Sequence, residues 1–264
     1  CIPGRGTLYA AERLESKVRS ATQNWSRPAH YLKMDLANFF VAIDKRVLGN
    51  QLVRLIDETW WQSLALQILW PDPRQNFETR SPRHLFNKVP QHKRLTAQAA
   101  HLGLPIGNLS SQFFANIYLN DLDQFVKHQL RAKHYIRYVD DFVLLHESPQ
   151  QLNEWLAAIE AFLPGLVARL NPSKTILQPV DRGIDFVGHV IKPWRRTTRK
   201  RTVKEALRRV AAAPEDDLLE VANSYFGLFR QASHSQVDRA ALANVLLQRG
   251  RSINGAITKT FRKR

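Results

Sequence analysis

The chain has 264 residues, 44% of them hydrophobic and 23% charged, with a net charge of +16. That length predicts one large domain or two small ones around a real core, and the composition excludes disorder, collagen and coiled coil. The sole cysteine, Cys1, excludes an internal disulfide framework and a cysteine-based zinc site, and no apolar run approaches the ~18 residues of a membrane span.

In chain order, Leu8, Ala11, Leu14 and Val18 recur at helical spacing and predict a helix from Thr7 to about Gln23. His30 to Ile43 reads as a strand running into a turn of helix. Residues 45–70 predict a helical pair, in which Trp60, Trp61 and nearby Trp70 read as packing residues rather than base-stacking ones. The prolines at 71, 73, 82 and 90 predict loop over 71–94. Ser111 to Leu130 predicts an amphipathic helix capped by Ser110 or Ser111. Tyr135–Val139 and Phe142–Leu145 predict a hairpin that turns at Asp140-Asp141. Residues 150–163 predict a further helix, Ile184–Ile191 a strand, and the chain from about 203 onward helices. Few, short strands among helices predict an α+β class with one modest sheet.

The positive charge is clustered. Lys192 to Lys204 holds seven basic residues and no acid, and the chain ends on Lys259, Arg262, Lys263 and Arg264. Such charge predicts a polyanion partner, nucleic acid or an acidic membrane surface, and its clustering a track for phosphates, against the alternatives of an inert basic surface or a nuclear-localisation-like patch. The first residue is not methionine and the only methionine is Met34, which predicts that Cys1 is not the biological start. With no signal peptide visible, a cytoplasmic setting is expected.

Three acids sit where acids are least expected. Asp35 interrupts the apolar run Tyr31–Leu36, and Asp140 and Asp141 lie between two apolar arms. A carboxylate beside a buried strand is costly unless paired or bound to a cation. Adjacent aspartates repel, and a hard divalent ion such as Mg²⁺ removes that conflict. Two such ions clamp the attacking and leaving oxygens in phosphoryl transfer. The competing reading is an exposed turn and an unrelated strand-end aspartate.

These residues carry a resemblance. Tyr138-Val139-Asp140-Asp141, within YIRYVDDFVLL, resembles the YxDD motif of reverse transcriptases, and YLKMDLANFF around Asp35 resembles the block with their other catalytic aspartate. Gly103 to Gln112 is similar to the template- and nucleotide-contacting loop-helix, Leu170 to Thr175 to the next block, and Phe186-Val187-Gly188 to the primer grip. Most of the family has glutamine where Ile106 stands, and a proline or similar residue where Gln112 stands. IGNLSSQ and the opening Cys1–Thr7 resemble instead the enzymes of diversity-generating retroelements.

The resemblance implies a right-hand polymerase fold with fingers, a palm bearing a small antiparallel sheet, and a helical thumb. Fingers and palm would cover 1–192, the palm at about 30–44 and 101–192, and a basic thumb 193–264. The fingertip residues that grip the triphosphate would lie upstream of Cys1. The implied activity is error-prone RNA-directed DNA synthesis, with frequent misincorporation opposite template adenines. The implied partners are template RNA, an RNA–DNA duplex, dNTPs and a small basic oligomeric accessory variability protein, with no membrane. The alternatives are a retron, intron-encoded or phage-defence reverse transcriptase, or an RNA-binding protein with a polymerase-like fold. No endonuclease motif follows the last block.

The roles implied follow residue by residue. Asp35, Asp140 and Asp141 would hold two Mg²⁺ ions with the Leu36 carbonyl, Asp141 being the least committed of the three. Leu36, Ala37, Phe40, Ile106, Gly107, Gln112 and Lys174 would contact nucleotide or template. Phe40 is a steric gate against a ribose 2′-OH or a core ring, whereas Phe39 is core. Ile106 is a template contact or a buried loop anchor. Lys174 protonates or neutralises pyrophosphate, or is an ordinary solvated lysine. Arg195, Arg196, Arg199, Lys200 and Arg201 would follow the nucleic-acid backbone.

Overall fold

The computed structural model describes residues 3–75 and 77–261, so Cys1 and Ile2 of the opening block and the basic Arg262–Arg264 lie outside the described residues. Among the described residues the chain forms two compact units, one of residues 3, 29–75 and 77–178 and one of 4–28 with 179–261.

Helix α1 (Thr7–Ala21) belongs to the second unit. The first unit opens with β1 (His30–Asp35) and the short α2 (Phe39–Ala42). The helical pair follows as α3 (Lys45–Leu55) and α4 (Thr59–Leu69). Among its described residues, the proline-rich stretch is irregular except for α5 (Arg83–Phe86) and a single turn at Gln91–Lys93. Next come α6 (Leu109–Tyr118) and α7 (Asn120–Gln124), which runs on as a π-turn, Phe125–Gln129. The hairpin β2 (His134–Tyr138) and β3 (Asp141–His146), helix α8 (Pro149–Phe162) and β4 (Ile176–Pro179) complete this unit.

Two expectations need correction here. The α6 cap is Asn108, not a serine, and Ser111 is buried inside the helix. The single helix expected over 111–130 is also broken after Tyr118. There the Tyr118 carbonyl accepts from Gln51 Nε2 at 3.2 Å, and Asp121 pairs with Arg54 at 2.8 Å. A carbonyl turned toward a side chain outside its own helix leaves the i→i−4 ladder, which marks the break. Helix α8 is capped by Ser148, whose Oγ accepts from Gln151 N, with Pro149 in the first turn.

The strands pair in the order β2-β3-β1-β4. Successive side chains of a strand point to opposite faces. Leu32 and Met34 of β1 therefore enter one core with Phe142 and Leu144 of β3, Phe114 and Tyr118 of α6, and Leu152 and Ile159 of α8. Lys33 and Asp35 are left to the other face. The tryptophans do not pack as expected: Trp60 is 65% exposed, Trp61 53% and Trp70 46%, since α4 turns Leu69 rather than these rings inward.

In the second unit, β5 (Ile184–Phe186), β6 (His189–Lys192) and β7 (Arg195–Thr198) form an antiparallel sheet. The single strand expected over 184–191 is thus a hairpin. Phe186 pairs with His189 across Val187 and Gly188, whose φ values of +43° and +93° are the double positive of a type I′ turn. Val187 conceals that turn in the sequence, because β-branched residues avoid this region. Helices α9 (Lys200–Ala212), α10 (Leu218–Phe229) and α11 (Gln236–Gln248) bury Val210, Phe226, Phe229 and Leu246 in a core of their own. A small hairpin, β8 (Ser252–Ile253) with β9 (Thr260–Phe261), follows. Glu15 of α1 accepts from Arg196 at 3.2 Å, which ties the N-terminal helix to this sheet. The expected α+β class is the one observed.

Candidate active site

The acids meet on the face of β1 turned away from the core. Asp35 is the direct cross-strand partner of Asp141, and Tyr138 pairs with the same Asp141 on the other side. The hairpin loop is therefore Val139-Asp140, and Asp141 is the first residue of β3 rather than half of the turn. Val139 takes φ +57°, where an aspartate or asparagine was the better candidate. A β-branched residue there is strained, and such strain gathers at functional sites.

Lysines surround the acids. Asp35 is only 6% exposed, and Lys174 Nζ donates to its Oδ2 at 2.8 Å. The block carrying Lys174 is laced to β1, Asn171 N donating to the Asp35 carbonyl at 2.8 Å and Ala37 N to the Arg169 carbonyl at 2.9 Å. Lys33 Nζ lies 3.5 Å from Asp141 Oδ1. Burial pushes the Asp140 carboxyl above its ordinary range, and the charges of Asp35 and Asp141 push the same way. The bond to Asp35 in turn raises Lys174.

The donor set fits a hard divalent cation: three carboxylates, no soft ligand, and a like-charge conflict that a cation relieves. As the side chains stand, no three His, Cys, Asp or Glu groups among the described residues converge closely enough to hold one. Lys174 occupies one Asp35 oxygen instead.

The other expected residues fall into three places. Leu36 and Phe39 are buried in the core, whereas Phe40 is half-buried, its ring edge-on to Phe39 at 5.4 Å. Ile106 is 78% exposed, which removes the buried-anchor alternative. Gly107 and Gln112 are exposed in the same loop-helix. Gly107 has φ +110° with open space around it, whereas Gly103 is fixed by contact, a Cβ there lying 3.2 Å from the Val41 carbonyl. Phe186, Val187 and Gly188 form the hairpin tip of the second unit.

The basic run divides in two. Arg195, Lys200 and Arg201 are exposed. Arg196 is spent on Glu15 and the Gln231 carbonyl, and Arg199 on Asp185. Sequence reasoning missed Lys33, Arg137 and Asp123. Lys33 was findable from the two-residue alternation with Asp35; the partnership of Arg137 with Asp123 had no local signal.

A family model for reverse transcriptase (RNA-dependent DNA polymerase) matches residues 3–191. No curated protein sequence matches the chain. Among solved structures, the chain is similar to the telomerase of Candida albicans in complex with a TWJ fragment of telomeric RNA, at 15% identity and TM-score 0.45, covering 89% of this chain and 43% of that one. It is also similar to the apo telomerase of Candida tropicalis, at 14% identity and TM-score 0.49, covering 90% and 44%. The chain spans less than half the length of those telomerase chains. With more than half of its residues matched in order, the chain belongs to the reverse transcriptase (RNA-dependent DNA polymerase) family.

Proposed function

We propose that the chain is an RNA-directed DNA polymerase of the diversity-generating type, copying template RNA into DNA from dNTPs with frequent errors at adenines. The observation that carries the polymerase reading is the pairing of Asp35 with Asp141 across β1 and β3, with Asp140 in the adjoining loop. A protein that only binds RNA gains nothing from clustered acids facing a polyanion.

Asp35, Asp140 and Asp141, with the Leu36 carbonyl, would hold two Mg²⁺ ions, which when bound neutralise the triphosphate and activate the primer hydroxyl. The chain's own residues do the rest. Lys174 leaves Asp35 to neutralise or protonate the departing pyrophosphate. Phe40 stands against the ribose 2′-OH, and Ile106, Gly107 and Gln112 line the template and nucleotide. The β5–β6 tip grips the primer. Residues 1–192 serve as fingers and palm and 193–264 as thumb, with a small basic oligomeric protein as accessory partner.

Primer extension on an RNA template tests this directly. The parent extends with dNTPs, and Phe40→Val narrows the preference over NTPs by about tenfold, the scale on which a pocket wall discriminates small groups. An unchanged preference would place Phe40 in the core alone, and RNA binding without extension would remove the polymerase reading.

The phosphate track makes a separate prediction. Neutralising the exposed Arg195, Lys200, Arg201 and Lys204 should weaken duplex binding and flatten its salt dependence, by up to ~0.9 in log–log slope for each phosphate left without its cation. Replacing Arg196 or Arg199 should instead lower the melting temperature, because their partners are Glu15 and Asp185. A slope that stays put in the first variant would mean that the run faces solvent.

A further inference from the structure

Arg137 lies three residues before Asp140, on β2, and its side chain is only 9% exposed. Asp123 of α7 grips it as a fork, Oδ1 accepting from Nε at 2.9 Å and Oδ2 from Nη2 at 2.6 Å. Tyr135 Oη donates to that Oδ1 as well, at 2.6 Å. The guanidinium plane is thereby fixed, and its remaining Nη1 is aimed at the hairpin loop. Nη1 donates to the Val139 carbonyl at 2.9 Å, with Asn116 Oδ1 of α6 at 3.3 Å beside it.

Val139 is the loop residue with φ +57°, and Asp140 is the next residue along. A β-branched side chain resists that conformation, so the loop persists only where its surroundings over-determine it. The bond from Arg137 is such a constraint, and it acts on the peptide that joins Val139 to Asp140.

We propose that Arg137 is a positioning residue for the acid cluster. Anchored on Asp123, it pins the Val139 carbonyl and so fixes the strained loop that carries Asp140 next to the Asp35–Asp141 strand pair. The guanidinium suits this task in a way an ammonium does not. Its planar fork satisfies a carboxylate with two donors and keeps further donors in a set direction, whereas a lysine offers a point charge. A simple tether between α7 and β2 would not need the extra donor. A buried ion pair is in any case weak evidence of stabilisation by itself.

The inference rests on the polymerase reading, and two substitutions test it. Arg137→Lys keeps a cation for Asp123 but loses the fork. Val139→Gly relieves the positive-φ strain, so its loop needs no clamp. In the full chain on an RNA–DNA primer–template, Arg137→Lys should lower kcat by about tenfold, with the dNTP KM within about threefold and the melting temperature nearly unchanged. In the Val139→Gly background the same change should cost less than about threefold, since the two residues act on one loop. Equal losses in both backgrounds, or a loss that tracks unfolding, would overturn the proposal.

Amide hydrogen exchange supplies a readout that needs no catalysis. Exchange across residues 138–142 should quicken in Arg137→Lys while that of β1 stays as in the parent. If the parent fails to extend primers, the polymerase reading falls and exchange alone decides: an unchanged rate at 138–142 would overturn the clamp.

Discussion

Asp35→Asn and Asp140→Asn are each expected to lower primer extension by about a thousandfold while leaving RNA binding within a few-fold. Each change removes a negative group from the face where three acids gather, and each leaves the side chain's size and the strand register intact. A site that neutralises developing charge contributes several kcal/mol, and ~4 kcal/mol is a thousandfold at 1.36 kcal/mol per decade. Binding is expected to survive because the exposed cations proposed as the phosphate track, Arg195, Lys200 and Arg201, are untouched.

Stability should move the other way for one of these variants. Folded Asp140 has its carboxyl pushed up by burial and by the charges of Asp35 and Asp141. The folded chain therefore holds that proton more tightly than the unfolded chain does. The contribution is fully present at acid pH and is lost as pH rises through the raised value, so at neutral pH ionised Asp140 destabilises the fold. In metal-free buffer Asp140→Asn should melt higher than the parent, by about 2–4 °C for each kcal/mol of repulsion relieved. A lower melting temperature at neutral pH would contradict that account of the cluster. Activity within a few-fold of the parent in either variant would contradict the assignment of the acids.

Ile106→Gln is expected to reduce misincorporation by about five- to 150-fold, most visibly opposite template adenines. Ile106 is 78% exposed on the loop before α6, so its side chain is available to a template base or nucleotide. A polar side chain in that place rejects a misplaced pair by leaving its own hydrogen bond unmade, a penalty of about 1–3 kcal/mol. Isoleucine has no such bond to lose. Sequencing cDNA made by both versions on one RNA template measures the difference. Equal error spectra would dismiss the loop explanation, and a parent accurate at adenines would dismiss the diversity-generating subtype.

The elements most open to sequence reasoning were those whose signal is local. The acid interrupting the apolar run of β1 set Asp35 apart, and helical spacing marked α1, α3 and α4. Loops failed where an unsuitable residue was made to fit. Val139 and Val187 both take positive φ, and neither advertises a turn, so one hairpin shifted by a residue and the other read as a single strand. Long-range pairings had no signal at all. Lys174 reaches Asp35 across 139 positions, and Glu15 meets Arg196 across 181. Arg137 was hidden differently: inside a β-rich run it reads as a solvated strand residue, and only the packing of α7 against β2 shows it buried on Asp123.

The acid cluster of Asp35, Asp140 and Asp141 is proposed to elongate DNA on RNA. The direct measurement is single-nucleotide addition by the purified chain to a DNA primer annealed to RNA, with the matching dNTP and Mg²⁺. The expected product is a primer one nucleotide longer, with pyrophosphate released, and it is lost when Asp140→Asn replaces the parent. Tight binding of the duplex with no extension, in Mg²⁺ or Mn²⁺, would rule out polymerisation by this cluster.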